Sequence, residues 1–407
     1  MTSNQPLRLL ELYSGIGGMH VSAKESGIQF QVVGSCEINP TALQVYSHNF
    51  SSSIPKPVNI MGFSTQDLDK LSPDLLMMSP PCQPFTRQGL KRDLDDERTS
   101  SFIHFLKLLQ ECRNPPKYIL LENVSGFETS RTRELLLETL QKCNYSWQEF
   151  LISPLQLGVP NSRLRYYLLA RLKPLQFCFE ISDQVKSVFP VCTCVRTSDY
   201  KMNSQSQCEN CSCPVLASVS KLLYKHHFNN LSNTEPITDK LLTDSECNFK
   251  TLESNINLSC SELVSPLEKY LVENIEIDNF LLKDKTLTRY GMLLDIVNAS
   301  SKRSCCFTKG YSHFVEGTGS VLQHNLDVDV DVTFEEANKF EKDDPKRLEL
   351  LQKLELRYFT PQEVANLMCF PSWYKLPTEI TNKQCYRVLG NSINILAVTS
   401  LLLILLH

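Results

Sequence analysis

The 407-residue chain is 42% hydrophobic, enough for a sizeable core in two domains or in one domain with a large insertion. A formal net charge of -4 argues against a general nucleic-acid coat protein, so any polynucleotide contact must come from a local basic face. The opening "MTSNQPLRLLELY" has neither a basic n-region nor a long apolar h-region, and the sixteen cysteines are expected as reduced thiols in the cytoplasm or nucleus. The sequons at Asn49 and Asn123 are then not glycosylation sites.

In chain order, "LRLLELYSG", "FQVVGSCEI", "PDLLMMSPP", "PKYILLENV" and "RLRYYLLARL" read as apolar strands, and "TSSFIHFLKLLQEC" and "TRELLLETLQKC" carry helical spacing. This alternation predicts an α/β fold, a doubly wound and mostly parallel sheet. From about residue 190 to 262 the composition turns to Ser, Asn, Cys and Thr with weak periodicity, the mark of a mobile insertion. Beyond it, "LVSPLEKYLVENI" is predicted helical, "LDVDVDVTF" alternates like a strand with one solvated face, and the last 55 residues are predicted helical again. The terminal "ILAVTSLLLILLH" is shorter than the roughly 20 residues that span a bilayer, and it holds Thr399 and Ser400. A buried C-terminal helix is expected there, with no membrane as partner.

The first chemical signal is "LELYSGIGG" followed by "SCEI". A glycine-rich turn after the first strand of an open sheet lets backbone approach a ligand, and an acid after the second strand accepts ribose hydroxyls. Glu37 lies about 20 residues beyond the turn, the spacing for that role. A dinucleotide site needs a third glycine three residues after Gly17, where the chain has His20. The pattern therefore turns from NAD toward a nucleoside without a pyrophosphate, such as S-adenosylmethionine; plain strand-to-helix packing is the other use of such a turn.

In "MMSPPCQPFTRQG", Cys82 stands among three prolines. Prolines fix φ and withhold donors, so this thiol sits on a rigid loop. The loop follows strand "PDLLMM", at the sheet edge where α/β ligands bind, and a thiolate nucleophile needs that restraint. Most of the other cysteines are expected as inert small hydrophobes. In "YILLENVSGF" the strand runs directly into Glu122, and a carboxyl partly withdrawn from water there can donate a proton, if it is not an ordinary cap or salt-bridge partner. In "PNSRLRYYLLA", Arg163 and Arg165 alternate along one strand face and can enter one pocket; solvated surface arginines are the alternative.

These signals, in this order and followed by "RYFTPQEVANLMCFP" and "GNSINI", resemble the cytosine-5 methyltransferases over nearly the whole chain except residues 180 to 262. "CFTKGYSHFVEGTGSVLQ", residues 306 to 323, is similar to the Cys-Phe-Thr segment of the eukaryotic aspartate-tRNA cytosine-5 methyltransferases, a family built like DNA methyltransferases that acts on tRNA. The resemblance implies that Cys82 adds to carbon 6 of cytosine, that Glu122 supports protonation at N3, and that Arg163 and Arg165 hold the base and the nucleophile's loop. Carbon 5 then takes the methyl group of S-adenosyl-L-methionine. It implies cofactor contacts at Ile16, Gly17, Gly18, Glu37, Ile38, Ile60, Met61, Asn391 and Ser392. One departure is Asn161, a shorter amide where many DNA enzymes carry glutamine.

A stacked base is out of the thiol's reach, so the target must be flipped or lie in a loop, and an anticodon loop offers unstacked bases. The resemblance implies aspartate tRNA as partner and the cytosine just 3' of its anticodon as target. DNA is the alternative substrate, and an idle nucleic-acid binder the alternative class. Arg87, Lys91, Arg92 and Lys309 are the expected RNA contacts. The expected layout is a catalytic domain at 1–178, a target-recognition region at 179–350 and C-terminal helices at 351–407, acting as a monomer. "CTC" at Cys192 and "CENCSC" at Cys208 hold four or more thiols, but the Cys-x-Cys half is a poor zinc half-site, so no metal is expected.

Overall fold

The computed structural model describes residues 5–50, 59–81, 93, 96–189, 219, 222 and 264–407. The insertion expected at about 190–262 and its cysteine cluster lie outside the described residues, apart from Val219 and Leu222. Six strands form the main sheet: β1 Leu7–Leu12, β2 Phe30–Cys36, β3 Leu75–Met78, β4 Tyr118–Val124, β5 Tyr145–Ile152 and β6 Arg165–Leu172. Their spatial order is β2-β1-β3-β4-β6-β5. β1 pairs in parallel with both β2 and β3, and β3 with β4, whereas β6 runs antiparallel to β4 and β5.

Two apolar layers cover the sheet because alternate side chains of each buried strand point to opposite faces. Leu9, Leu75, Met77, Leu120 and Leu169 face one layer, and Leu10, Leu76, Met78, Leu121 and Leu168 the other. The second layer is closed by helices α3 Thr65–Leu71, α4 Ser100–Glu111 and α5 Arg131–Lys142. α4 buries Phe102, Phe105, Leu106 and Leu109, one helical stripe. α5 starts where the Ser130 side chain accepts the Arg133 N–H. The first layer takes α1 Gly18–Glu25, α2 Pro40–Asn49 and the C-terminal helix Ile395–Leu406.

That last helix is apolar on every side and is covered on every side: Ile395 to Leu405 are all buried. Thr399 Oγ1 donates to the Ser22 carbonyl at 3.3 Å and Ser400 Oγ to Leu396 at 2.8 Å, so its two hydroxyls are satisfied inside the core. Each buried Leu or Ile is worth roughly 1.5–3 kcal/mol, so this helix is a principal source of cohesion for the first layer.

A smaller sheet, β7 Ile296–Val297, β8 Val321–Gln323 and β9 Leu356–Arg357, is packed by α6 Asp284–Tyr290, α7 Val330–Ala337 and α8 Pro345–Gln352 around Leu287, Val321, Ala337 and Leu351. It draws a strand from past residue 350, so the final stretch is not wholly helical; α9 Pro361–Leu367, α10 Asn382–Gly390 and α11 Ile395–Leu406 complete it. Two further expectations fail here. "LDVDVDVTF" runs into helix α7, not a strand: the Asp329 side chain caps it by accepting the Val332 N–H, Thr333 and Ala337 are buried one turn apart, and Val332 is left exposed. "LVSPLEKYLVENI" forms one 3-10 turn, Leu267–Tyr270, because Pro266 stands at its entrance and Asn274 takes a φ of 56°. β5 has no counterpart among the strands expected from the sequence.

Candidate active site

The strand register sets the site. Leu12 pairs with Met78 and Met78 with Leu121, so the next residues, Tyr13, Ser79 and Glu122, emerge together at the C-terminal edge. β1 has β2 on one side and β3 on the other, so the chain leaves the sheet in opposite directions here, the switch point where open α/β sheets bind ligands. A cavity of about 650 Å³ opens at this edge.

One end of the cavity is the turn after β1. Tyr13, Gly15 and Gly17 all have positive φ, at 56°, 54° and 85°. Ile16 and Gly18 line the cavity, while Gly17 is not among its lining residues. A Cβ on Gly17 would stand 2.7 Å from the Phe50 ring, and one on Gly18 2.7 Å from Ile393. Both glycines therefore allow close packing of protein on protein around the turn. Beneath the turn, Glu11 is fully buried and accepts from the Tyr46 hydroxyl at 2.9 Å and the His20 N–H at 3.3 Å. Burial pushes its carboxyl up to about 8, and burial likewise brings the His20 imidazole down to about 4.

Glu37 faces the same cavity. One carboxylate oxygen accepts the Ile38 and Asn39 N–H groups at 2.8 and 2.7 Å, and the other accepts Gly15 N–H at 2.8 Å. Ile38 is 76% exposed and Met61 49% exposed on the cavity wall, with Ile60 buried beside them. Asn391 and Ser392 also line the cavity.

The other end carries Ser79, Pro80, Pro81, Glu122, Arg163 and Arg165. Cys82, the next residue after Pro81, lies outside the described residues, as do Arg87, Lys91 and Arg92. Glu122 is buried, receives the Ser79 hydroxyl, and pairs with Arg165 Nε at 3.4 Å. Asn123 Nδ2 donates to the Pro80 carbonyl at 3.3 Å and so tethers the proline loop to β4.

Arg163 does not sit on the strand, which begins at Arg165. It is 3% exposed, and its terminal nitrogens donate to protein: Nη1 to Cys306 Sγ and the Phe307 carbonyl, Nη2 to the Gly390 and Ser392 carbonyls. Those donors join the 306–307 segment to the 390–392 segment, while Arg163 also lines the cavity. Asn161 is equally buried and donates to Ser304 Oγ and the Cys305 carbonyl, a use that a longer glutamine would have to rearrange to meet. Lys309 is exposed and lies outside the cavity lining, but its backbone packs on Gly390, where an added Cβ would come within 2.2 Å of the Lys309 nitrogen.

The sequence reading missed Ser79 and the roles of Asn123 and Cys306. Their adjacency to Pro80 and Glu122, and the "CFT" triplet, were the available signals. Among the described residues no cluster of three or more His, Cys, Asp or Glu could hold a metal ion.

The cavity fits S-adenosylmethionine. Its volume lies within the range of roughly 300–1,000 Å³ typical of small-molecule sites. A carboxylate offers about four acceptor positions, and three on Glu37 are taken, which leaves one for a ribose hydroxyl. Ile38 and Met61 supply exposed apolar surface for an adenine face.

The sequence profile of the C-5 cytosine-specific DNA methylase family matches residues 7–405. A Bos taurus protein named tRNA (cytosine(38)-C(5))-methyltransferase is 43% identical over 98% of this chain and 99% of its own. A Dictyostelium discoideum protein named DNA (cytosine-5)-methyltransferase is 36% identical over 98% and 94%. The crystal structure of a Spodoptera frugiperda DNMT2 mutant superposes with a TM-score of 0.74 at 36% identity, covering 98% of this chain and 100% of that one. The glycine turn, Glu37, the Pro80–Pro81 pair and Glu122 thus line one cavity on a fold shared along its whole length, and the chain belongs to the C-5 cytosine-specific DNA methylase family, whose methyl donor is S-adenosylmethionine.

Proposed function

We propose that this protein methylates carbon 5 of a tRNA cytosine, the one just 3' of the anticodon in aspartate tRNA, acting as a monomer in the cytoplasm and nucleus. The observation that carries the reading is the 43% identity, over 98% of the chain, to a protein named tRNA (cytosine(38)-C(5))-methyltransferase. The cavity supports it, since the cofactor wall and the Glu122–Arg165 pair face one space.

S-adenosylmethionine, when bound against Glu37, Ile38, Met61 and Asn391, supplies an electrophilic methyl group. The chain prepares the base. Cys82, directly after the proline pair, attacks carbon 6, and the new S–C bond sends an electron pair toward carbon 5. Glu122, held by Ser79 and Arg165, holds a proton at N3 and so favours that addition. After methylation a solvent water takes the carbon 5 proton, the C–H electron pair reforms the carbon 5–carbon 6 double bond, and the electron pair of the S–C bond returns to Cys82.

A DNA substrate is the second reading, favoured by the Dictyostelium relative's name. A duplex cytosine costs a few kcal/mol to unpair and flip, which a loop base avoids. Tritiated methyl transfer to folded aspartate tRNA, its isolated anticodon stem-loop and a DNA duplex, at matched salt, separates the two. Folded tRNA is expected to label fastest, and Cys82→Ala to transfer nothing while still binding cofactor. Equal or faster labelling of the duplex would overturn the RNA reading.

A further inference from the structure

The Cys306 sulfur touches both arginines of the site. Arg163 Nη1 donates to it at 3.3 Å and Arg165 Nη2 lies at 3.6 Å. The backbone around it is pinned: Ser162 N–H donates to the Ser304 carbonyl at 2.9 Å, Asn161 Nδ2 to the Cys305 carbonyl at 3.0 Å, and Thr308 N–H to Thr318 at 2.9 Å. The sulfur's place is therefore built into the fold.

Charge then matters. The Arg163 residue is 3% exposed and the Arg165 side chain 14%, and the carboxylate facing them is Glu122, 8% exposed at its side chain. Among the described residues two enclosed guanidinium groups face one carboxylate, which leaves an unbalanced positive charge that is costly away from water. Tyr167, the other titratable group beside them, is driven by burial above the ordinary phenol range and stays neutral. A sulfur with two guanidinium donors aimed at it is placed to carry the second negative charge.

We propose that Cys306 is a thiolate and a positioning residue: it balances the second arginine, and so holds Arg165 in its place beside Glu122. Burial alone pushes the thiol up, but Arg163 and Arg165 outweigh it and the net direction is down. The proposal rests on the methyltransferase reading only for its kinetic consequence.

The test uses the full-length protein. In a Cys82→Ala background, which removes the nucleophile's own signal, the ultraviolet absorbance of Cys306 and Cys306→Ser forms is compared across pH. At pH 7 the cysteine form is expected to exceed the serine form by the absorbance of one thiolate, and the excess to vanish on acidification. No excess at pH 7 overturns the proposal. With Cys82 present, Cys306→Ser is expected to lower kcat on tRNA by about tenfold or more with KM changed by less than about threefold, and to lose the acidic limb that titrates with the thiol. An unchanged kcat also overturns it. Inactivity of the unsubstituted enzyme would count against the functional reading instead, and the absorbance difference would still decide the thiolate.

Discussion

Glu37→Ala is the most direct probe of the cofactor wall. Three of the carboxylate's roughly four acceptor positions are filled by Gly15, Ile38 and Asn39 N–H groups at 2.7–2.8 Å, so the residue has one acceptor to offer a ribose hydroxyl. Losing a hydrogen bond to a charged acceptor costs about 1.5–3 kcal/mol, which lowers S-adenosylmethionine affinity roughly ten- to a hundredfold. The alanine also releases the Gly15 N–H, which ties the glycine turn to the end of β2, so its effect belongs at the upper end of that range. Glu37→Gln separates the two contributions: one amide oxygen still accepts from Ile38 and Asn39, while the position facing Gly15 becomes a donor and loses its charge. Its affinity should fall between wild type and alanine. Isothermal calorimetry with S-adenosylmethionine measures all three. Unchanged affinity in Glu37→Ala would remove Glu37 from the site and refute the acceptor count on which the expectation rests.

Two further outcomes follow from the buried structure. Burial raises the Glu11 carboxyl to about 8 from an ordinary 4.5, so the folded chain holds a proton that the unfolded chain releases between those values. This contribution is complete below about pH 4.5 and is lost as pH rises through 8, at up to about 1.4 kcal/mol per pH unit. Glu11→Gln, which mimics the protonated form, should flatten the decline in denaturant midpoint from pH 5 to 8, and an equal decline in both proteins would show that Glu11 does not titrate there. Gly390→Ala places a Cβ 2.2 Å from the Lys309 backbone nitrogen, so the 308–309 segment must move away from the cofactor wall. Overpacking of this kind costs about 1–3 kcal/mol, readable as a lower melting temperature together with weaker tRNA binding; a variant unchanged in both would mean that the segment yields freely.

The sequence by itself determined the catalytic half of the sheet. Its buried parallel strands are near-continuous apolar runs, and a run such as "PDLLMM" ending in Ser-Pro-Pro, or "YILL" ending in Glu-Asn, marks a strand end and its chemistry together. The C-terminal helix was legible for the same reason, since "ILAVTSLLLILL" has no polar face to present to water. Tertiary structure alone decided the rest. β5, "YSWQEFLI", shows no apolar strand pattern because it buries Gln148 and Glu149, whose polar atoms are satisfied by Ser182 and Gln184 and by Arg133 and Tyr166. "LDVDVDVTF" alternates, but a period of two has meaning only where a sheet face waits to bury it, and the Asp329 cap turned the segment into a helix. Arg163 and Cys306 are 143 positions apart. No local pattern announces that a guanidinium will meet a sulfur across that interval, because the meeting depends on how the 304–308 segment packs against Pro160, Asn161 and Gly390, and long-range packing leaves no periodic trace in the chain.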